Sequence, residues 1–150
     1  MKDIFITKNP VQTQRIAAKL SRRILGLRLN QKAVVIGLIG ELGSGKTVFA
    51  KGFAKELGVK ECVISPTFVL ERIYKLKTKN YKLFIHIDAY RINRAKEIID
   101  LGFKELIRHP ENIILIEWAD RIKNILPKGC IIIKFEHINK NKRSIFIKNL

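Results

Sequence analysis

The stretch A-V-V-I-G-L-I-G-E-L-G-S-G-K-T, residues 33–47, decides the fold. Its first seven residues are apolar and rich in β-branched side chains. Such a run has no polar face, which suits a strand buried on both sides of a parallel sheet. Three glycines follow within six residues, and Lys46 and Thr47 come directly after them. Gly40-x-x-x-x-Gly45-Lys46-Thr47 is a complete phosphate-loop pattern, with a strand before it and helical spacing over 47–57 after it. Each position has a physical reason. Glycines admit positive φ and let the backbone approach a ligand closely. Successive N–H groups then converge on phosphate oxygens, and the helix adds its positive N-terminal end. Lys46 is expected to reach the β- and γ-phosphates, and the Thr47 hydroxyl to ligate Mg²⁺. The expected nucleotide-binding set in and after the loop is Glu41, Gly43, Ser44, Gly45, Lys46, Thr47 and Val48.

A nucleotide site also needs acid. In α/β sheets ligands lie beyond the carboxyl ends of strands. Two apolar runs end in an acid: L-F-I-H-I-D at Asp88 and I-I-L-I-E at Glu117. A buried acid at a strand end is costly unless it is paired or bound to metal. One of the two should serve the metal and the other should orient water, and the residues alone leave the assignment open. His86 and Asp88 share a strand face, so His86 is able to hydrogen-bond near the site. No N-K-x-D or T-K-x-D occurs, so a guanine reading lacks support and adenine is the default base.

Around this centre the chain reads as alternating helices and strands. Apolar residues at helical spacing run over 11–25, opened by Pro10 and closed by Gly26. Gly58 stops the helix after the loop. Strands are expected over 68–76 and 82–87 with a turn at 78–80, over 113–116, and over 131–135 and 144–147 as a C-terminal hairpin. Helical segments are expected over 94–108, interrupted near Gly102, and over 121–126. This order predicts one α/β domain over residues 1–150, a mixed but mostly parallel sheet flanked by helices, with an antiparallel C-terminal hairpin. No apolar run approaches the ~20 residues of a membrane helix. Cys62 and Cys130 match no metal spacing and read as buried reduced thiols, which fits a cytoplasmic protein. Lys and Arg number 30 against 13 acids, a formal charge of +17, which suggests an anionic partner or only a lysine-rich composition.

Several further segments carry a resemblance. S-P-T-F at 65–68, H-I-D-A-Y-R at 86–91, L-G-F-K-E-L at 101–106 and L-I-E-W-A-D at 115–120 follow the phosphate loop in order. Together they resemble the TsaE family over about residues 10–145. The resemblance implies a small P-loop ATPase needed for N6-threonylcarbamoyladenosine in tRNA, using ATP and Mg²⁺ and acting with TsaB and TsaD. TsaD would carry out the transfer, while the TsaE-like chain would drive turnover or resetting. Contact with tRNA would then be indirect. By the same resemblance Ser65, Pro66 and Thr67 form a switch-like segment near the γ-phosphate. Asp88 becomes the catalytic, water-positioning acid and Glu117 the metal acid, while Trp118 lies beside the nucleotide. Thr13, with Lys142 or Arg143 of the hairpin, would approach the base. The chain departs from the family pattern at Val48, which lacks a second hydroxyl, and at Ala119, where a proline is frequent.

Two other functions share parts of this pattern. A small-molecule kinase would use the same loop but needs an acceptor pocket and a closing lid, for which the sequence offers no segment. A nucleic-acid-binding module would account for the charge but not for the loop and its two acids. No obvious arginine finger accompanies the loop, so hydrolysis is expected to be slow in the isolated chain and stimulated by a partner.

Overall fold

The computed structural model describes residues 2–61, 63 and 69–149. In chain order the elements are β1 (Lys2–Thr7), α1 (Pro10–Leu25), β2 (Val34–Ile39), α2 (Lys46–Glu56), β3 (Glu71–Lys75) and β4 (Leu83–Asp88). Then follow α3 (Ala95–Asp100), α4 (Phe103–Arg108), β5 (Asn112–Glu117), a 3₁₀ segment (Ala119–Ile125), β6 (Ile131–His137) and β7 (Arg143–Lys148). The strands make one seven-stranded sheet in the order β1-β7-β6-β2-β5-β4-β3. Its centre, β6-β2-β5-β4, is parallel. Its edges are antiparallel: β3 on β4, β7 on β6 and β1 on β7. The expected mixed sheet with a C-terminal hairpin is therefore present.

Local chemistry sets the ends of α1. The Asn9 side chain accepts the Gln12 N–H at 2.9 Å, and the Gln12 side chain accepts the Lys8 N–H at 2.7 Å. Pro10 supplies a preset first turn, and Gly26 closes the helix. One face of the sheet packs on α1 and α2 through Leu20, Phe49, Phe53, Phe84 and Phe135. Phe49 meets Phe135 edge-on at 5.5 Å between centroids, and Phe53 meets Phe84 at 5.9 Å. The other face packs on α3, α4 and the 3₁₀ segment through Ile85, Ile98, Phe103, Ile116 and Ile122.

The structure differs from the sequence expectation in a few places. β1 had no sequence signal, because its large aliphatic residues point outward: Ile4 is 66% and Ile6 53% exposed. It joins the sheet because β7 offers it a pairing edge. β3 is shorter than the strand expected over 68–76; Leu70 adopts a left-handed φ of 66° just before it. The helical region over 94–108 divides at Gly102, as its sequence suggests. Cys130 is a buried free thiol whose pKa burial pushes up to about 12, whereas Cys62 lies outside the described residues. Among the described residues no helix is long and apolar enough to cross a membrane.

The crossing of α1 and α2 depends on Gly52. A Cβ there would lie 2.8 Å from Gln14 Cα and 2.9 Å from Gln14 Cβ. Replacing a mid-helix glycine by alanine ordinarily adds about 1 kcal/mol of helix stability. Here the added carbon meets atoms that cannot rotate away, and overpacking of that kind costs about 1–3 kcal/mol. Gly52→Ala should therefore lower the urea midpoint of unfolding, with a net loss of up to about 2 kcal/mol in unfolding free energy. A raised midpoint would show that the two helices are not locked at this contact.

Candidate functional site

The loop between β2 and α2 lies at the carboxyl end of the central strand. Gly43 and Gly45 have φ of 73° and 104°, which side chains other than glycine adopt only with strain. A Cβ on Gly40 would stand 2.7 Å from Ser44 Oγ and 2.8 Å from the Phe135 carbonyl. The loop is thus wrapped tightly against β6, with its backbone turned around the start of α2.

Lys46 is buried, 4% exposed, and folds back over the loop. Its Nζ donates to the Gly40 carbonyl at 2.7 Å, to the Glu41 carbonyl at 2.8 Å and to Ser44 Oγ at 3.3 Å. The same ammonium sits 3.9 Å from the centroid of the Trp118 ring. Burial lowers its pKa below 10.5 and outweighs the opposing attraction of Glu117, Asp120 and Asp88.

The two acids are direct neighbours across the sheet, since Asp88 of β4 pairs with Glu117 of β5. Both are 2% exposed. Each Glu117 oxygen has its own partner. Oε2 accepts the Thr47 hydroxyl at 2.9 Å, and Oε1 lies 2.9 Å from His86 Nε2. His86 Nδ1 is buried without a hydrogen-bond partner among the described residues. With Nδ1 unpartnered, Nε2 is the nitrogen whose hydrogen is donated to Glu117 Oε1. Asp88 Oδ1 accepts the Tyr90 N–H at 2.9 Å, which fixes its carboxylate at the end of β4.

These groups line a cavity of about 390 Å³, with Gly43, Ser44, Lys46 and Thr47 on one wall and Asp88, Glu117, Tyr90 and Trp118 on the other. Trp118 has a left-handed backbone, φ 58° and ψ 42°. That turn carries the chain from β5 into the 3₁₀ segment and lays the indole over Lys46 and against Tyr90, at 5.0 Å between centroids. A second hollow of about 250 Å³ shares Gly43, Gly45 and Val48 with the first, and it adds Thr13 and Arg143. Arg143, from the C-terminal hairpin, ties down its own turn by donating to the Asn139, Lys140 and Lys142 carbonyls at 3.1–3.2 Å. A further hollow of about 450 Å³ opens at the opposite end of the sheet, but no carboxylate lines it and the loop is far from it.

Most of the expected site residues are therefore brought together: Gly43, Ser44, Gly45, Lys46, Thr47, Val48, Asp88, Glu117 and Trp118 meet around one cavity. Thr13 and Arg143 adjoin it, whereas Lys142 does not line either hollow. The exposed Glu41 contributes its carbonyl, while the residue itself lines a separate groove on the outer side of the loop. Ser65, Pro66 and Thr67 lie outside the described residues. The sequence had placed His86 only near the site, and its bond to Glu117 was not legible. Arg121 was missed: its guanidinium carbon lies 5.4 Å from the Tyr90 centroid and 5.7 Å from the Trp118 centroid. The three-residue step from Trp118 to Arg121 was the available signal.

The donor set fits a nucleotide with a hard cation. The Thr47 proton is engaged by Glu117, which leaves the hydroxyl lone pairs as acceptors for a metal. One hydroxyl, one carboxylate and phosphate oxygens form the kind of oxygen set that Mg²⁺ takes.

Comparison with known proteins gives a family and a fold. The family described as "Threonylcarbamoyl adenosine biosynthesis protein TsaE" matches residues 7–145. The chain is 36% identical to a Rickettsia felis protein named tRNA threonylcarbamoyladenosine biosynthesis protein TsaE, over 93% of this chain and 76% of the relative. It is 34% identical to the Bacillus subtilis protein of the same name, over 93% of this chain and 80% of that one. The crystal structure of Bacillus subtilis YdiB superposes with a TM-score of 0.76 at 27% identity, covering 98% of this chain and 84% of that one.

The His86–Glu117 contact generates a stability prediction. Removing one partner of a buried charged hydrogen bond leaves the other unsatisfied, at a cost of about 3 kcal/mol. His86→Ala should lower the unfolding free energy by about that amount in chemical denaturation. Lys96→Ala, which breaks the exposed pair with Asp100, should change it by less than about 0.5 kcal/mol. Equal effects from the two variants would rule out a structural role for the His86 bond.

The lowered pKa of Lys46 generates another. Below that pKa the buried ammonium disfavours the folded state, and the penalty is relieved as pH rises from it towards 10.5. A phosphate ligand needs the ammonium, so its affinity should move the other way. Binding of inorganic triphosphate should weaken in that alkaline window, before exposed lysines titrate. An affinity flat up to pH 10.5 would mean that Lys46 stays charged throughout.

Proposed function

Because the chain belongs to the TsaE family, which takes part in tRNA threonylcarbamoyladenosine biosynthesis, we propose that it is a Mg²⁺-dependent ATPase of that pathway. It works in the cytoplasm with TsaB and TsaD, and its hydrolysis drives turnover or resetting of the transferase assembly. The observation that carries this reading is one cavity in which the glycine-turned loop, Lys46 and the Thr47–Glu117 pair face Asp88.

Each residue then has a task. The loop N–H groups and the start of α2 cradle the phosphates. Lys46 exchanges the Gly40 and Glu41 carbonyls for phosphate oxygens. Thr47 and Glu117 hold the cation, which when bound neutralises charge on the β- and γ-phosphates. The Thr47–Glu117 hydrogen bond favours Glu117 over Asp88 for that role. Asp88, fixed by the Tyr90 N–H, orients the attacking water and accepts its proton. Thr13 and Arg143 flank the hollow into which the base extends. Lys46 is the only cation among the described residues that line the loop cavity. Charge built up in the transition state is therefore incompletely matched, and the isolated chain turns over slowly until a partner completes the site.

The deciding measurement is phosphate release from Mg·ATP by the chain alone and with TsaB and TsaD. Stimulation of at least about tenfold is expected, of the kind that arises when a partner supplies or orders a catalytic group. Lys46→Ala should lose nucleotide binding with the fold intact, and Asp88→Asn should bind ATP but lose turnover. Equal rates with and without the partners would defeat the partner-gated reading. Phosphate transferred to a small acceptor, not to water, would favour a kinase.

A further inference from the structure

We propose that Arg121 is a phosphate-contacting residue of this site, stationed on the Tyr90–Trp118 pair and able to swing from there onto the γ-phosphate of ATP; this rests on the nucleotide reading above. The 3₁₀ geometry places it. The Arg121 N–H donates to the Trp118 carbonyl at 3.1 Å, closing one tight turn. In a 3₁₀ turn side chains three residues apart eclipse, so Arg121 projects over the indole. Its guanidinium lies near the faces of both rings, and both rings line the loop cavity.

Three features separate this arrangement from an ordinary surface arginine. Arg121 makes no ion pair among the described residues, although the chain carries its own acids nearby at Asp120 and Glu117. Its attraction to the rings is weak at an exposed site, so it is readily given up for a charged oxygen. And the same indole carries Lys46 at 3.9 Å, so Trp118 is contacted by two cations, one buried in the cavity and one exposed.

Charge balance supplies the reason for a second cation. Asp88 and Glu117 stand in a cavity whose described lining holds one cation, Lys46. Bound Mg²⁺ offsets part of the polyphosphate charge, but γ-phosphoryl transfer is catalysed largely by further positive groups near the transferring oxygens. A guanidinium suits that task because its donors form a planar fork that matches phosphate oxygens.

The test separates the γ-phosphate from the rest of the nucleotide. Calorimetric titrations with Mg·ADP and with a non-hydrolysable Mg·ATP analogue are run on the full chain, Arg121→Ala and Arg121→Lys. ADP affinity should stay within about twofold in all three. The analogue should weaken by about tenfold or more in Arg121→Ala, with partial recovery in Arg121→Lys, as expected for loss of a charge-assisted phosphate contact. Equal weakening of ADP and analogue would reduce Arg121 to a support for the rings and overturn the proposal. So would no change in either. Failure of the unaltered chain to bind both nucleotides would instead overturn the nucleotide reading, and this proposal with it.

Discussion

A carboxylate in the middle of a sheet must be compensated, and the rest of the site is arranged around how Glu117 is. It ends a strand with every residue buried, and its own exposure is 2%. An ionised group there, left alone, would cost several kcal/mol or take up a proton. Instead one oxygen is held by Thr47, the second residue of α2, and the other by His86 of β4. The loop helix, the acid strand and its neighbour are thereby tied at one point. The distance between the phosphate loop and the acids is set by that point before any ligand enters. Preorganisation of this kind is what lets electrostatics act on a reaction without first rearranging the protein.

His86 shows the other side of that arrangement. It is itself buried, stacked 6.2 Å from Phe84, and its Nδ1 has no partner among the described residues. An unmatched buried nitrogen is destabilising, and an apolar residue would pack there without that penalty. The imidazole makes sense at this position only for what its Nε2 does to Glu117. The same holds for Trp118, whose left-handed backbone costs about 1 kcal/mol or more, and for Lys46, whose burial lowers its pKa. Local rules are broken at these three positions, and all three border the same cavity or its acid.

The fold and the loop were legible for a definite reason. The strand over 33–39 is apolar on both faces, the glycines have no other use, and the acids end apolar runs, so periodicity and position agreed. Parallel central strands need long crossovers with helices, and the sequence displays them. β1 was illegible because its aliphatic residues face solvent and its pairing depends on a strand at the other end of the chain. The partners of Glu117 were illegible for a related reason. His86 and Thr47 are far from it in sequence, and only the register that pairs Asp88 with Glu117 and His86 with Leu115 brings them within reach. The placement of Arg121 near the indole depends on the strained turn at Trp118, which no residue preference announces.

The excess charge remains, and its place in the site follows from range. α1 has no acid and exposes Arg15, Lys19, Arg22 and Arg23, while α2 exposes Lys51 and Lys55 on the same side of the sheet. Exposed charges are screened over about 8 Å at physiological salt. Their field raises the encounter rate with any polyanion, whether nucleotide or nucleic acid, and does not discriminate among them. Discrimination needs groups at fixed positions: the loop amides and Lys46 as donors, and the Thr47–Glu117 pair as oxygen acceptors, all within or bordering one cavity. A net charge of +17 is thus compatible with an ATPase site, but it is not what makes one. What would make one is position: Lys46 is fixed on the loop carbonyls, and Thr47 is fixed on Glu117.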